Sequence, residues 1–153
     1  MYKGREVLGL PVIRKANGEN LGKISDLFCS KDLNYVKALQ VLANNDKDVK
    51  VCQLQMVLSL GRDAIIINSN ELENVEVGDD FGSSWQKIKG TKVICGKGNE
   101  LGCVEDIVFE FPSGQITALE VSEGFIGDII SGRHIVSQEA IQTTGNNTII
   151  VDF

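Results

Sequence analysis

The stretch NGENLGKISDLF at Asn17–Phe28 returns as GNELGCVEDIVF at Gly98–Phe109. At an offset of 80 residues, Leu21, Gly22, Ile24, Asp26 and Leu27 fall on Leu101, Gly102, Val104, Asp106 and Ile107. The same offset carries Val36, Ala38, Leu39 and Val41 onto Ile116, Ala118, Leu119 and Val121. Upstream, with a shift of one residue, Gly9, Val12 and Ile13 match Gly90, Val93 and Ile94; downstream, GRDAIII at Gly61–Ile67 matches GNNTIIV at Gly145–Val151. Two copies at so long a period indicate duplication of a whole small domain, because solenoids stack three or more shorter units. The expected domains are residues 1–77 and 86–153, and the Gly, Ser and Asp between them have the composition of a linker. Trp85, the only tryptophan, and Phe81 are unusual in a solvated linker, and one or the other is expected to pack where the two units meet.

Each copy reads as short strands punctuated by turns. In the first these are Val7–Ile13, Leu21–Cys29, Tyr35–Leu42, Val49–Cys52 and Ala64–Asn68, with a helical turn near Leu54–Leu58. In the second they are Thr91–Cys95, Leu101–Phe111, Gln115–Ser122, His134–Ser137 and Thr148–Asp152. Asn17-Gly18 and Ser113-Gly114 supply turn chemistry, since these residues tolerate positive φ. No stretch keeps a helical period for more than about two turns. The chain is therefore expected to be all-β. A handful of short strands in about 70 residues leaves exposed edges in an open sheet, and closure into a small barrel removes them. Gly22 and Gly102, inside strands, mark bulges or bends. Ile24, Val36, Leu39, Val41 and their counterparts are the expected core.

Composition excludes several functions. With 42% hydrophobic and 24% charged residues the chain has enough apolar content to fold, and no apolar run approaches the length of a membrane span. The opening MYKGREVLGLPVIRK, charged at Lys3, Arg5 and Glu6, is not a secretory signal, which implies a cytoplasmic protein. The net charge of −6 lies wholly in residues 78–153, which carry five Lys/Arg against eleven Asp/Glu; residues 1–77 balance at ten each. Neither half offers the clustered cations that neutralise a phosphate backbone, so direct nucleic-acid binding is not expected. Cys29, Cys52, Cys95 and Cys103 are scattered, with no CxxC pair and only His134 as a nitrogen ligand, so no metal site is expected.

No reaction is legible. Asp26 and Asp106 recur because both copies need them, which points to carboxylates accepting backbone N–H groups near a bulge or turn. Glu105 and Asp106 are strand neighbours and face opposite ways, so they cannot act as an acid–base pair. His134 and Ser137 lack a third orienting group; Ser137 reads as the N-cap of a turn, with Glu139 in it. CGKGNELG at Cys95–Gly102 has neither P-loop nor dinucleotide spacing and reads as a hairpin loop. No cofactor is implied.

The Gly-x-x-Val-Ile opening, the Leu-Gly-x-Val-x-Asp strand, the Ala-Leu-x-Val strand and the late IVSQEAI at Ile135–Ile141 together resemble the PRC-barrel family. That family includes the cytoplasmic domain of the photosynthetic reaction-centre H subunit, the C-terminal domain of the ribosome-maturation factor RimM, and small stand-alone bacterial proteins, some linked to sporulation. The resemblance implies two tandem small SH3-like β-barrels that bind other macromolecules. It implies no catalytic residues. The expected function is that of a non-enzymatic cytosolic adaptor for a protein partner. The alternative is a ribosome- or RNA-processing-associated factor acting through a basic ribosomal protein. Self-association, or a small ligand between the barrels, is also compatible with the pattern.

The copies diverge at one loop. EGFIGDIISG at Glu123–Gly132 places Phe125, Ile126, Ile129 and Ile130 between glycines, where the first copy has polar NNDKDVKV at Asn44–Val51. Those four residues are the expected partner-binding site, the competing role being a plug for the barrel's own end. The scattered cysteines yield a prediction: neither chelator nor reductant shifts the melting temperature, and a change of many degrees with either would overturn this reading.

Overall fold

The computed structural model describes residues 1–68, 72–74, 82–123, 125–126, 129–130, 133–145 and 147–152, with the backbone alone at 73–74, 125–126, 129–130 and 133. The first copy contributes β1 (Tyr2–Lys3), α1 (Gly4–Val7), β2 (Pro11–Arg14), β3 (Asn20–Cys29), β4 (Val36–Leu42), β5 (Val49–Gln53), β6 (Val57–Leu60), β7 (Ile65–Ile67) and β8 (Glu73–Asn74). The second contributes β9 (Ser83–Ser84), α2 (Trp85–Ile88), β10 (Lys92–Cys95), β11 (Glu100–Phe109), β12 (Ile116–Ser122), β13 (Phe125–Ile126), β14 (Ile129–Ile130), β15 (Arg133–Ser137), β16 (Ile141–Thr144) and β17 (Thr148–Val151). The protein is all-β, as expected.

One sheet runs β6-β7-β2-β3-β4-β5-β8 and the other β15-β12-β11-β10-β17-β16. In the second sheet β15 and β16 are the two extremes, yet only the 3₁₀ turn Gln138–Ala140 separates them in sequence. Leu54–Met56 likewise joins β5 to β6. Three residues span about 10 Å at most, so each sheet must curl until its ends approach, which makes each a small barrel. The curl is helped by a register shift where Val12 faces Gly22 and Ile13 faces Asn20, repeated between Val93 and Ile94. Gly22 and Gly102 both have φ near +138°, and a Cβ at either would collide with the carbonyl of Leu42 or Ser122. The in-strand glycines are therefore the bulge positions expected of them.

Inward-facing residues repeat copy for copy. Val12, Ile24, Leu27, Leu39, Val41, Ile65 and Ile67 are buried, as are their counterparts Val93, Val104, Ile107, Leu119, Val121, Ile149 and Val151. Most strand boundaries shift by one or two residues from expectation, and two differences are larger in kind. Val7–Ile13 is not one strand: Gly4–Val7 is a helical turn closed by Leu8 N–H donating to the Gly4 carbonyl (3.1 Å), and the strand begins only at Pro11. The expected helical turn at Leu54–Leu58 shortens to Leu54–Met56, and β-branched Val57 opens β6.

The main departure is that each copy's opening segment packs on the other barrel. β1 pairs with β11 (Tyr2 opposite Phe109, Lys3 opposite Val108), whereas β9 pairs with β3 (Ser84 opposite Phe28, Ser83 opposite Cys29). The helical turns follow, α1 against β11 and α2 against β3. Each chain then returns to its own barrel, Gly9 N–H donating to the Ile24 carbonyl and Gly90 N–H to that of Val104, both at 2.8 Å. Between the barrels Tyr35 bridges to Gln115; Val36 N–H donates to the Gly114 carbonyl and Ile116 N–H to that of Asn34, both 2.8 Å. The repeat offset interchanges these two bonds, so the bridge lies on a pseudo-two-fold axis. One apolar cluster runs through both barrels and includes Trp85, which is only 2% exposed at the junction. Phe81 lies outside the described residues.

This exchange makes the halves mutually dependent. Cleavage of a protease site inserted between residues 77 and 78 is expected to leave the two pieces together as a one-to-one complex in size-exclusion chromatography. Separation without denaturant would contradict the exchange.

Candidate partner-binding site

The repeated carboxylates hold the exchanged segments. Asp106 Oδ1 accepts from Ile107 N–H (2.8 Å) and its Oδ2 from the backbone N–H (3.3 Å) and guanidinium Nη1 (3.2 Å) of Arg5. Asp26 accepts from Leu27 N–H (2.8 Å), from Gln86 N–H (3.2 Å) and from the Ser84 hydroxyl. Arg5 and Gln86 are equivalent at an offset of 81, so each aspartate anchors the helical turn of the opposite copy. Both sit where β3 and β11 shift register against β4 and β12. This is the backbone-accepting role expected of them; that the donors come from the other half had no signature in the repeat. A Cβ at Gly4 would fall 2.7 Å from Asp106 Oδ1, so the turn lies against the carboxylate with no room for a side chain.

The two sockets differ in charge. In the second barrel Glu120, buried, meets Lys3 Nζ at 2.6 Å and Arg5 Nη1 at 2.8 Å. In the first, Gln40 occupies the place of Glu120, with Ser84 and Gln86 in place of Lys3 and Arg5. Burial works to raise the Glu120 pKa, but hydrogen bonds from Lys3 and Arg5 and the attraction of their charges outweigh it and hold the carboxyl below its ordinary value. The Arg5 guanidinium is correspondingly raised, chiefly by its bond to Glu120.

The other chemical candidates have structural positions. Glu105 accepts from the Ser122 hydroxyl (3.1 Å) and does not join Asp106. His134, exposed, pairs through Nε2 with Glu123. Ser137 stands at the N-cap of the Gln138–Ala140 turn, but its hydroxyl makes no cap bond there, which corrects the capping role expected of it. Within Cys95–Gly102, residues 96–99 form the expected hairpin loop between β10 and β11, with Gly98 N–H donating to the Cys95 carbonyl (2.8 Å). Burial pushes the Cys29 thiol up to about 12 and that of Cys52 to about 11, so neither ionises at neutral pH. Among the described residues no group of three or more His, Cys, Asp or Glu is placed to hold a metal, and no helix is long and apolar enough to cross a membrane.

Phe125, Ile126, Ile129 and Ile130 form a separate two-stranded ribbon, Phe125 opposite Ile130 and Ile126 opposite Ile129. The ribbon connects the end of β12 to the start of β15; its side chains lie outside the described residues. The first copy closes the same place with a tight polar turn: Ala43 N–H donates to the Asp48 carbonyl (2.8 Å), and Asn45 Oδ1 accepts from Lys47 and Asp48 N–H. A second concavity, about 390 Å³, lies between the barrels and is lined by Phe28, Lys31, Leu33, Ser84, Lys87 and Ile149 among others. Its volume suits a small molecule, but the Ser84 hydroxyl is already bonded to Asp26.

The PRC-barrel domain model matches twice, over residues 1–74 and 82–153. The chain belongs to the PRC-barrel family, with two copies in tandem. The second match takes in β9 and Trp85, the segment that crosses to the first barrel. No curated protein matches the chain. Among solved structures it is similar to a RimM protein of Pseudomonas aeruginosa assigned to 16S ribosomal RNA processing, at 10% identity and a TM-score of 0.35, covering 85% of this chain and 95% of that one.

The Glu120 cluster sets a pH dependence. Because its folded pKa is depressed, Glu120 contributes stability above its unfolded pKa of about 4.3, and that contribution is lost as pH falls through the lower folded value. Unfolding free energy is therefore expected to drop below about pH 4. Glu120→Gln is expected to lower stability at pH 7 by about 1–3 kcal/mol and to flatten the acid limb. An acid limb parallel to that of the wild type in urea titrations would remove Glu120 from this role.

Proposed function

We propose that this protein is a non-catalytic cytosolic binding module that recognises a protein partner through the second barrel, with the Phe125–Ile126 and Ile129–Ile130 ribbon as the contact. The observation that carries this is the asymmetry between two otherwise matched halves. The first barrel closes this position with a hydrogen-bonded polar turn, so an apolar ribbon there is not required by the fold. Apolar residues on a connection that the fold does not need are the usual mark of an interaction surface. The conserved-by-duplication carboxylates, which would be the first place to seek catalysis, are bonded to backbone N–H groups and to the exchanged segments.

A second reading is favoured by charge. The second half carries the entire net charge of −6, which suits a basic protein such as a ribosomal one and disfavours RNA itself. Capture from lysate with and without RNase separates the two: one defined protein insensitive to RNase supports the leading reading, RNase-sensitive ribosomal components the second.

Phe125→Asp with Ile129→Asp is expected to leave the melting temperature near that of the wild type while partner capture or self-association is lost. A loss of several kcal/mol would instead identify the ribbon as a plug of its own barrel. Retention of stability and of every association would remove the ribbon from function.

A further inference from the structure

The two barrels differ at a second, independent place. In the first, β5 is paired on both sides: with β4 on one, and on the other with β8, Lys50 opposite Asn74 and Val51 opposite Glu73. Val51 is fully buried (0% exposed), and Leu72, just before β8, is buried too. In the second barrel the counterpart of Val51 is Ile135, each standing three residues before its matching 3₁₀ turn, Leu54–Met56 or Gln138–Ala140. β15 pairs with β12, Glu120 opposite Ile135 and Val121 opposite His134; among the described residues no strand lies along its other side. Ile135 is 60% exposed. A β-branched residue on an open sheet edge, buried at the matching position of the same chain, marks a place built to take another strand.

We propose that the open edge of β15 at His134 and Ile135 binds an extended segment of another protein by strand addition, the segment carrying a leucine followed by an acidic and a polar residue. The first barrel supplies the template for the occupant: Leu72-Glu73-Asn74, the leucine buried and the next two residues in the ladder. Charge agrees with it, because Arg133 precedes the edge and the strand's own sequence, RHIVS, has no carboxylate to offer a second copy of itself. The inference shares with the proposed function only the class of partner. It rests on a different observation and fails separately from the ribbon.

The test uses the full chain and a fluorescent peptide of the chain's own residues 69–77, SNELENVEV, followed by anisotropy. Saturable binding is expected, weakened about tenfold or more by Ile135→Asp and retained by Ile135→Val. A peptide with aspartate in place of its leucine should bind about as poorly. Because Ile135 is exposed, both variants should melt like the wild type. The proposal is overturned if no saturable binding occurs, or if Ile135→Asp leaves it unchanged. It is equally overturned if sedimentation shows that this substitution instead abolishes a dimer, which would make β15 a self-pairing edge. The double substitution in the ribbon is expected to leave peptide binding intact.

Discussion

Everything in this molecule hangs on two buried aspartates that hold segments from the opposite copy. Asp26 and Asp106 accept the N–H of the residue that follows them and that of a residue about a hundred or sixty positions away in sequence. A buried carboxylate is tolerated only where its lone pairs find donors. Here the donors arrive with a strand of two residues and a single helical turn, elements too short to persist alone. Carboxylate and segment thus require one another. What results is a pseudo-dimer in one chain: the leaders cross, the Tyr35–Gln115 bridge sits on the axis, and one apolar cluster spans both barrels.

Against this shared frame, function is most visible where symmetry fails. The frame explains why so many residues recur: the core pairs, the bulge glycines and the aspartates all serve the fold. Some residues that do not recur serve it as well, Trp85 at the junction and Glu120 in its socket among them. The apolar ribbon after β12, the open edge of β15 and the charged socket at Glu120 are three places, among the described residues, where the copies part company. All three belong to the second barrel, whereas the first is closed by its polar turn and by β8.

Much of the fold was legible in the sequence because duplication doubles the signal. Ile24 with Val104, and Leu39 with Leu119, can be assigned to a core without any relative for comparison, and Gly22 with Gly102 to a bulge. The exchange was not legible. Either leader meets an aspartate, an apolar strand and a bulge whichever barrel it joins, so the periodicity is the same for both pairings. The signal that distinguishes them is the match of Lys3 and Arg5 to Glu120, against Ser84 and Gln86 to Gln40, and it is readable only once the register is known. Ile135 was hidden for a simpler reason: it adjoins Val136, and two successive apolar residues do not say which faces the core. Val136 does.

The unequal sockets have a bearing on how such chains behave in company. Exchanged segments are also a route to polymers, since a leader that fits its neighbour's barrel as well as its own partner barrel can link molecules without end. Two identical sockets would also let either leader enter either barrel. With one cationic leader and one neutral, a misplaced Ser84–Gln86 segment in the second barrel would strand Glu120 without a cation, and buried charge left alone is strongly unfavourable. Divergence of the sockets therefore works as an address: it names which leader goes where, and discriminates through the mismatch it penalises as much as through the match it rewards.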